Sequence, residues 1–112
     1  MNKDLTIECL RLALDTGLMR QTAIANNIAN ANTQDYQAME VNFEQQLRNL
    51  DSSATTDSLQ TVKPFYQTSD SSALDEQIAL SVKNATHYRA LIKGLNQKLA
   101  IMKLALHGNN QS

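Results

Sequence analysis

From Ser72 onward, apolar side chains return every three or four residues: Leu74, Ile78, Ser81, Ala85, Tyr88, Ile92, Leu95, Leu99, Met102 and Leu106. The steps alternate strictly between 4 and 3, and Ser81 is the one position that is neither apolar nor aromatic. An average spacing of about 3.5 residues over this length is the seam of a coiled-coil helix. Ser72-Ala-Leu-Asp75 reads as a capping box at its start, with Asp in place of the usual Glu. Lys103 and His107 stand near the negative end of the helix dipole, and Gly108 is placed as its stop.

A second seam opens the chain. Ile7, Leu10, Leu14, Gly17, Gln21, Ile24 and Ile28 repeat the same steps, so a helix is expected from residue 3 to about 30. Asn2 is its expected N-cap, with Asp4 in the first turn where the dipole favours a negative charge. Gly17 either weakens the helix by about 1 kcal/mol or lets another backbone come close; the pattern leaves both open. After it, Met39, Val41 and Phe43 alternate with polar residues, predicting a short extended piece. Phe43, Leu47 and Leu50 then predict one or two helical turns.

Residues 51–73 break both periods. Ser, Thr and Asp dominate, and the chain's only Pro lies there, so a solvated linker is expected, with TVKPFYQT as a small extended patch inside it. The expected fold class is therefore all-α, with long terminal helices joined by a short loop element and a polar, largely irregular middle. The chain divides into 1–50 (helix, motif and return segment), 51–73 (polar middle), 74–108 (coiled-coil helix) and 109–112 (tail). Two seams facing only each other leave apolar surface uncovered, a general difficulty of small scaffolds. The terminal helices are expected to be poorly ordered in a free monomer and to fold fully against copies or partners.

Composition sharpens this picture. Few aromatics, three Gly and one Pro argue against a sandwich or barrel. The formal charge of −1 shows no basic stripe of the kind a nucleic-acid binder carries. Asp4, Glu8, Arg11 and Asp15 interrupt the first apolar stretch, which therefore does not read as a cleaved secretory leader. No run approaches the roughly 18 apolar residues of a membrane span, so no membrane insertion is expected.

Candidate chemistry is sparse. Cys9 is a single thiol that reads as a small apolar helix residue. His87 and His107 have no Cys, Asp or Glu at ligand spacing on their own helix faces. Gly17, Gly94 and Gly108 are too far apart for a phosphate loop, and Asp75 and Glu76 are helix N-terminal charges first. No catalytic, metal or cofactor residue is assigned, and no enzyme is expected.

One stretch resists a plain helical reading. Asn26-Asn-Ile-Ala-Asn-Ala-Asn32 holds four asparagines in seven residues, although Asn is a poor helix former. Helix termination explains one or two of them; bonding to a neighbouring subunit is the stronger reading of the rest, and both can hold. Ala25-Asn26-Asn27-Ile28-Ala29-Asn30-Ala31-Asn32-Thr33, followed by Tyr36, resembles the "ANNIANxxTxGY" signature of the flagellar axial family, the rod and hook subunits. Tyr36-x-Ala38-x-x-Val41-x-Phe43-x-x-x-Leu47, then Leu74-Asp-x-Gln-Ile78, Tyr88-Arg-Ala-Leu91 and Leu95-x-x-Lys98, are similar to the proximal rod members of that family. The likeness covers everything except the middle, which is shorter than the family's. Gln34-Asp35 replaces the family's Pro-Gly before the tyrosine; if that position is left-handed, Asp tolerates it better than most residues.

The resemblance implies a structural rod subunit of the flagellar basal body that transmits torque. It implies export through the type III machinery without a cleaved signal. Its partners are then further copies, other rod proteins, and the hook–basal-body adaptor at the membrane ring. The motif residues are Asn26, Asn27, Ile28, Ala29, Asn30, Ala31, Thr33 and Tyr36. The expected assembly seams are Leu10, Leu14, Ile24 and Ile28 on the first helix, with Leu74, Ile78, Tyr88, Ile92, Leu95, Leu99, Met102 and Leu106 on the last. A small helical secretion chaperone or cytosolic coiled-coil adaptor is the alternative, whose seams would close within a stable dimer.

Overall fold

A computed structural model describes residues 4–50 and 55–110. The first helix, α1, spans Leu5–Ala29, and the last, α4, spans Leu74–Asn110. Between them lie a strand β1 (Met39–Asn42), two short helices α2 (Glu44–Arg48) and α3 (Thr56–Leu59), and a strand β2 (Phe65–Thr68). The molecule is elongated, with extents of 66 × 27 × 18 Å.

Helix α1 starts at Leu5, two residues later than the sequence suggested. Asp4, in extended conformation, is its N-cap and accepts from the Ile7 amide at 3.2 Å. Its carboxylate satisfies one of the free donors of the first turn; the expected cap, Asn2, lies outside the described residues. Helix α4 begins at Leu74, where the Gln77 amide bonds to Ala73 O. The expected Ser72–Asp75 box is not used; Ser71 Oγ donates to the Glu76 carboxylate instead. Gly108 does not stop α4, which runs to Asn110 with no glycine at positive φ, so residues 109 and 110 belong to the helix. Residues 111 and 112 lie outside the described residues.

The middle departs from the all-α expectation. β1 and β2 pair antiparallel in a two-stranded sheet, with Met39 opposite Thr68 and Asn42 opposite Phe65. The alternating segment and the TVKPFYQT patch, each too short to stand alone, complete each other's backbone bonds. Gln46 holds the middle from the side: its Nε2 donates to Lys63 O and its Oε1 accepts from the Lys63 amide. Leu59 and Val62, within the stretch read as solvated linker, are instead core residues. They pack with Leu12 and Phe43, and Ala13, Leu47 and Leu50 close the cluster. The polar composition of 55–73 concealed two apolar anchors that are nearly fully buried. α1 therefore has neighbours on two sides, this small lobe and α4.

α1 and α4 run antiparallel. The pairing is traced by Asn27 with Gln77, Gln21 with Ser81, Gly17 with Asn84, and Asp4 with Lys98. At Gly17 a side chain comes close rather than the backbone the sequence reading considered, because a Cβ there would meet the Tyr88 ring at 2.8 Å. It is a close-approach glycine, and the ring occupies the space a side chain would take.

Candidate assembly interface

The Asn-rich stretch closes α1 and turns the chain back. Asn30 is the C-cap residue; its Nδ2 donates to Asn26 O at 2.9 Å and its Oδ1 accepts from Thr33 Oγ1 at 3.0 Å. Asp35 then adopts φ 63°, the left-handed conformation the family's glycine position suggested. Asp visits that region at lower cost than most residues, so the turn forms without glycine.

Asn27 is buried and holds four partners at once. Its Nδ2 donates to Met39 O at 2.8 Å and to Gln77 Oε1 at 3.0 Å. Its Oδ1 accepts from the Met39 amide at 3.0 Å and from Tyr36 Oη at 3.3 Å. Gln77, also buried, passes the network on by donating to Ser71 O at 2.9 Å. One side chain thus ties α1, the turn, β1 and the start of α4 together. Sequence reasoning singled out Asn27 and Tyr36, and quoted Gln77 only within the Leu74-Asp-x-Gln-Ile78 likeness without giving it a role. The asparagines divide by role: Asn27 and Asn30 bond within the chain, while Asn26 and Asn32 are exposed. Among the other motif residues, Ile28, Ala31 and Tyr36 are half-buried, and Ala29 and Thr33 are exposed.

The face that α4 turns toward α1 differs from the expected seam. Its sheltered track is Gln77, Ser81, Asn84, Tyr88, Leu91, Leu95 and Lys98. Asn84 Nδ2 donates to Gly17 O at 2.9 Å and to Gln21 Oε1 at 3.1 Å, and Lys98 Nζ lies 3.4 Å from the Asp4 carboxylate. Directed hydrogen bonds and the Gly17–Tyr88 fit set this rotation. Of the expected seam residues, Ser81, Ala85, Tyr88 and Leu95 are sheltered. Ile78, Ile92 and Leu99 each follow a sheltered residue by one position, about 100° around the helix. With Leu74, Met102 and Leu106 they are exposed in the single chain. On α1, Ile24 is buried, while Leu10, Leu14 and Ile28 are half-buried.

Two grooves flank the helix pair. One, of about 390 Å³, is lined by Arg20, Ile24, Glu44, Leu80, Lys83 and His87, among others. Arg20 bridges its rim, ion-paired to Glu44 and donating to Val41 O at 3.4 Å. Burial pushes the Glu44 carboxyl up, but hydrogen bonding and charge from Arg20 outweigh it and hold the group below its ordinary value. The other groove, of about 190 Å³, is lined by Leu18, Ala85 and Tyr88 beside Gln21 and Arg89. Asp4 is also held below the usual aspartate value, first by the Ile7 amide it caps and then by Lys98.

No group of three or more His, Cys, Asp or Glu among the described residues is arranged to hold a metal ion. Among the same residues no helix is long and apolar enough to cross a membrane. Cys9 is an exposed free thiol. What the surface offers is therefore shape and apolar area: a long helix with one polar face bonded to its own chain and one apolar face open.

Comparison with known proteins agrees with the motif. Residues 11–37 match the family model described as flagella basal body rod protein. The chain is 28% identical over 121 residues to the flagellar basal body rod protein FlgB of Bacillus subtilis (strain 168), covering 92% of this chain and 94% of that protein.

Proposed function

Starting from a chain related to the flagellar basal-body rod proteins, we propose that it is a structural, non-enzymatic subunit of the bacterial flagellar rod, at its proximal end. It reaches the rod through the type III export machinery without a cleaved signal. There it packs with further copies, with other rod proteins and with the adaptor that joins the rod to the membrane ring. Its terminal helices interdigitate into a helical tube, which carries torque as a shaft does. Contacts between unlike surfaces of successive subunits suit such an open assembly.

The observation that carries this reading is the uncovered stripe of α4. Leu74, Ile78, Ile92, Leu99, Met102 and Leu106 stay exposed although the helix has a partner in its own chain. An apolar stripe of this length marks an interaction surface. Leu10, Leu14, Ile24 and Ile28 form the corresponding seam of α1, and the exposed Asn26 and Asn32 of the turn are free to bond a neighbour.

The test is a charge on the stripe. Ile92→Asp or Leu99→Asp is expected to abolish incorporation into rods and motility while leaving synthesis and monomer helicity unchanged, since both side chains already face water. Normal swimming with either variant overturns the proposal.

A further inference from the structure

Among the described residues, Lys98–Asp4 is the last ion pair that α4 makes with α1. Residues 99–108 are all exposed, and Leu99, Ile101, Met102, Leu104 and Leu106 stand between 37% and 71% accessible. From Lys98 to Asn110 the overhang is about 18 Å long at 1.5 Å per residue. Its large apolar side chains cover most of its circumference. A helix apolar nearly all round is a buried helix in its finished setting.

Charge indicates what buries it. The chain total of −1 conceals a lengthwise separation. The overhang carries Lys103 and no acid, and the braced residues 77–98 before it carry Lys83, Arg89, Lys93 and Lys98, the last paired to Asp4, and no acid. The opposite end is built from the end of α1, the turn, the sheet and the start of α4. There, residues 21–43 and 64–82 carry Asp35, Glu40, Asp70, Asp75 and Glu76 and no Lys or Arg, while Glu44 is paired to Arg20. That end also has apolar surface to offer, because Leu74 and Ile78 are exposed beside the exposed Asp70 and Asp75. Two overhangs laid side by side would bring lysines together, whereas overhang against acidic end pairs opposite charges around two apolar patches.

We infer that the basic, apolar overhang of α4 in one copy docks on the Leu74–Ile78 face and its acidic rim in the next copy, head to tail. The inference rests on the rod-subunit reading and names the two surfaces that meet. The contact is heterologous, so it propagates along the 66 Å axis rather than closing as a dimer.

Cysteine cross-linking of the full chain tests it. In a Cys9→Ser background, Ala79→Cys marks the acidic end and His107→Cys the overhang; both residues are exposed. On mixing the two proteins under mild oxidation, 79–107 disulfides are expected to exceed 107–107 disulfides. Lys103→Glu on the overhang protein should remove most of the mixed product, and Asp75→Lys on its partner should restore it. Circular dichroism of each variant controls for folding, and the 79–107 against 107–107 comparison needs no charge variant. Dominant 107–107 product, absence of cross-links, or a yield indifferent to these charges overturns the docking. Rod incorporation is read separately with Ile92→Asp, so loss of this contact leaves the rod-subunit reading standing or falling on its own test.

Discussion

Asn27 shows how much a single amide can organise. Two donors and one doubly accepting oxygen serve Met39, Tyr36 and Gln77, so the side chain acts as a junction between backbone segments that share no other common atom. Removing it takes the Asn27 partner from the Met39 amide, the Gln77 Oε1 and the Tyr36 hydroxyl in a sheltered place. Asn27→Ala is therefore expected to destabilise the free chain by about 3 kcal/mol, whereas Asn26→Ala should stay within about 0.5 kcal/mol. Denaturant midpoints with unchanged slopes would measure both; equal effects would reject the division of roles within the motif. The motif could be found by its composition, but a row of like residues does not say which one points inward. That depends on where β1 and α4 arrive.

At the scale of elements, α1 and α4 are joined by an interface that is polar at one end and ionic at the other. Lys98 and the helix N-terminus both favour ionised Asp4, and Arg20 does the same for Glu44. A carboxyl held below its unfolded value stabilises the fold above the unfolded pKa and loses that contribution as pH falls through the folded one. Stability is therefore expected to be flat with respect to these groups near neutrality and to decline on acidification below the ordinary carboxylate range. In Asp4→Asn, which keeps a capping oxygen but loses the charge, that decline should be shallower; thermal melts between neutral and acid pH decide it, and an unchanged acid slope would count against the role of Asp4. The long helices themselves were legible from the 3.5-residue spacing, to within a few residues at each end. The strands were half legible, as an alternating run and an extended patch, because pairing requires knowing that the two segments meet. Leu59 and Val62 were not legible as core, since two apolar residues amid Ser, Thr and Asp leave no period to detect.

The whole molecule is a lever with one supported and one free arm. Along residues 77–98, α4 is braced by α1; along 99–108 every residue is exposed. Helical turns without tertiary partners open readily, because packing supplies most helix stability in water. Amide exchange in dilute solution is thus expected to show protection across α1 and the braced part of α4, falling sharply after Lys98. Protection should extend through Leu106 once subunits assemble. Uniform protection of α4 in the dilute monomer would mean the overhang needs no neighbour. Protection lost only after Lys98 would place the expected disorder of the free chain in one segment rather than in both terminal helices.

From its sequence alone the protein determined that it has two amphipathic end helices, a motif of the axial type between them, and no local constellation for catalysis. The helices follow from periodicity, which acts over a few neighbouring residues; the axial character of the motif rests on resemblance. Which face of α4 is spent inside the chain was decided only in three dimensions. The apolar stripe marked a face suited to burial, yet Gln77, Asn84 and the Gly17–Tyr88 fit turn the helix so that only one edge of the stripe, Ser81, Ala85, Tyr88 and Leu95, is sheltered. Directed hydrogen bonds reward one register, while hydrophobic attraction accepts many. The stripe left outside is therefore a product of the fold, and it is the surface through which the subunit meets its neighbours in the proposed rod.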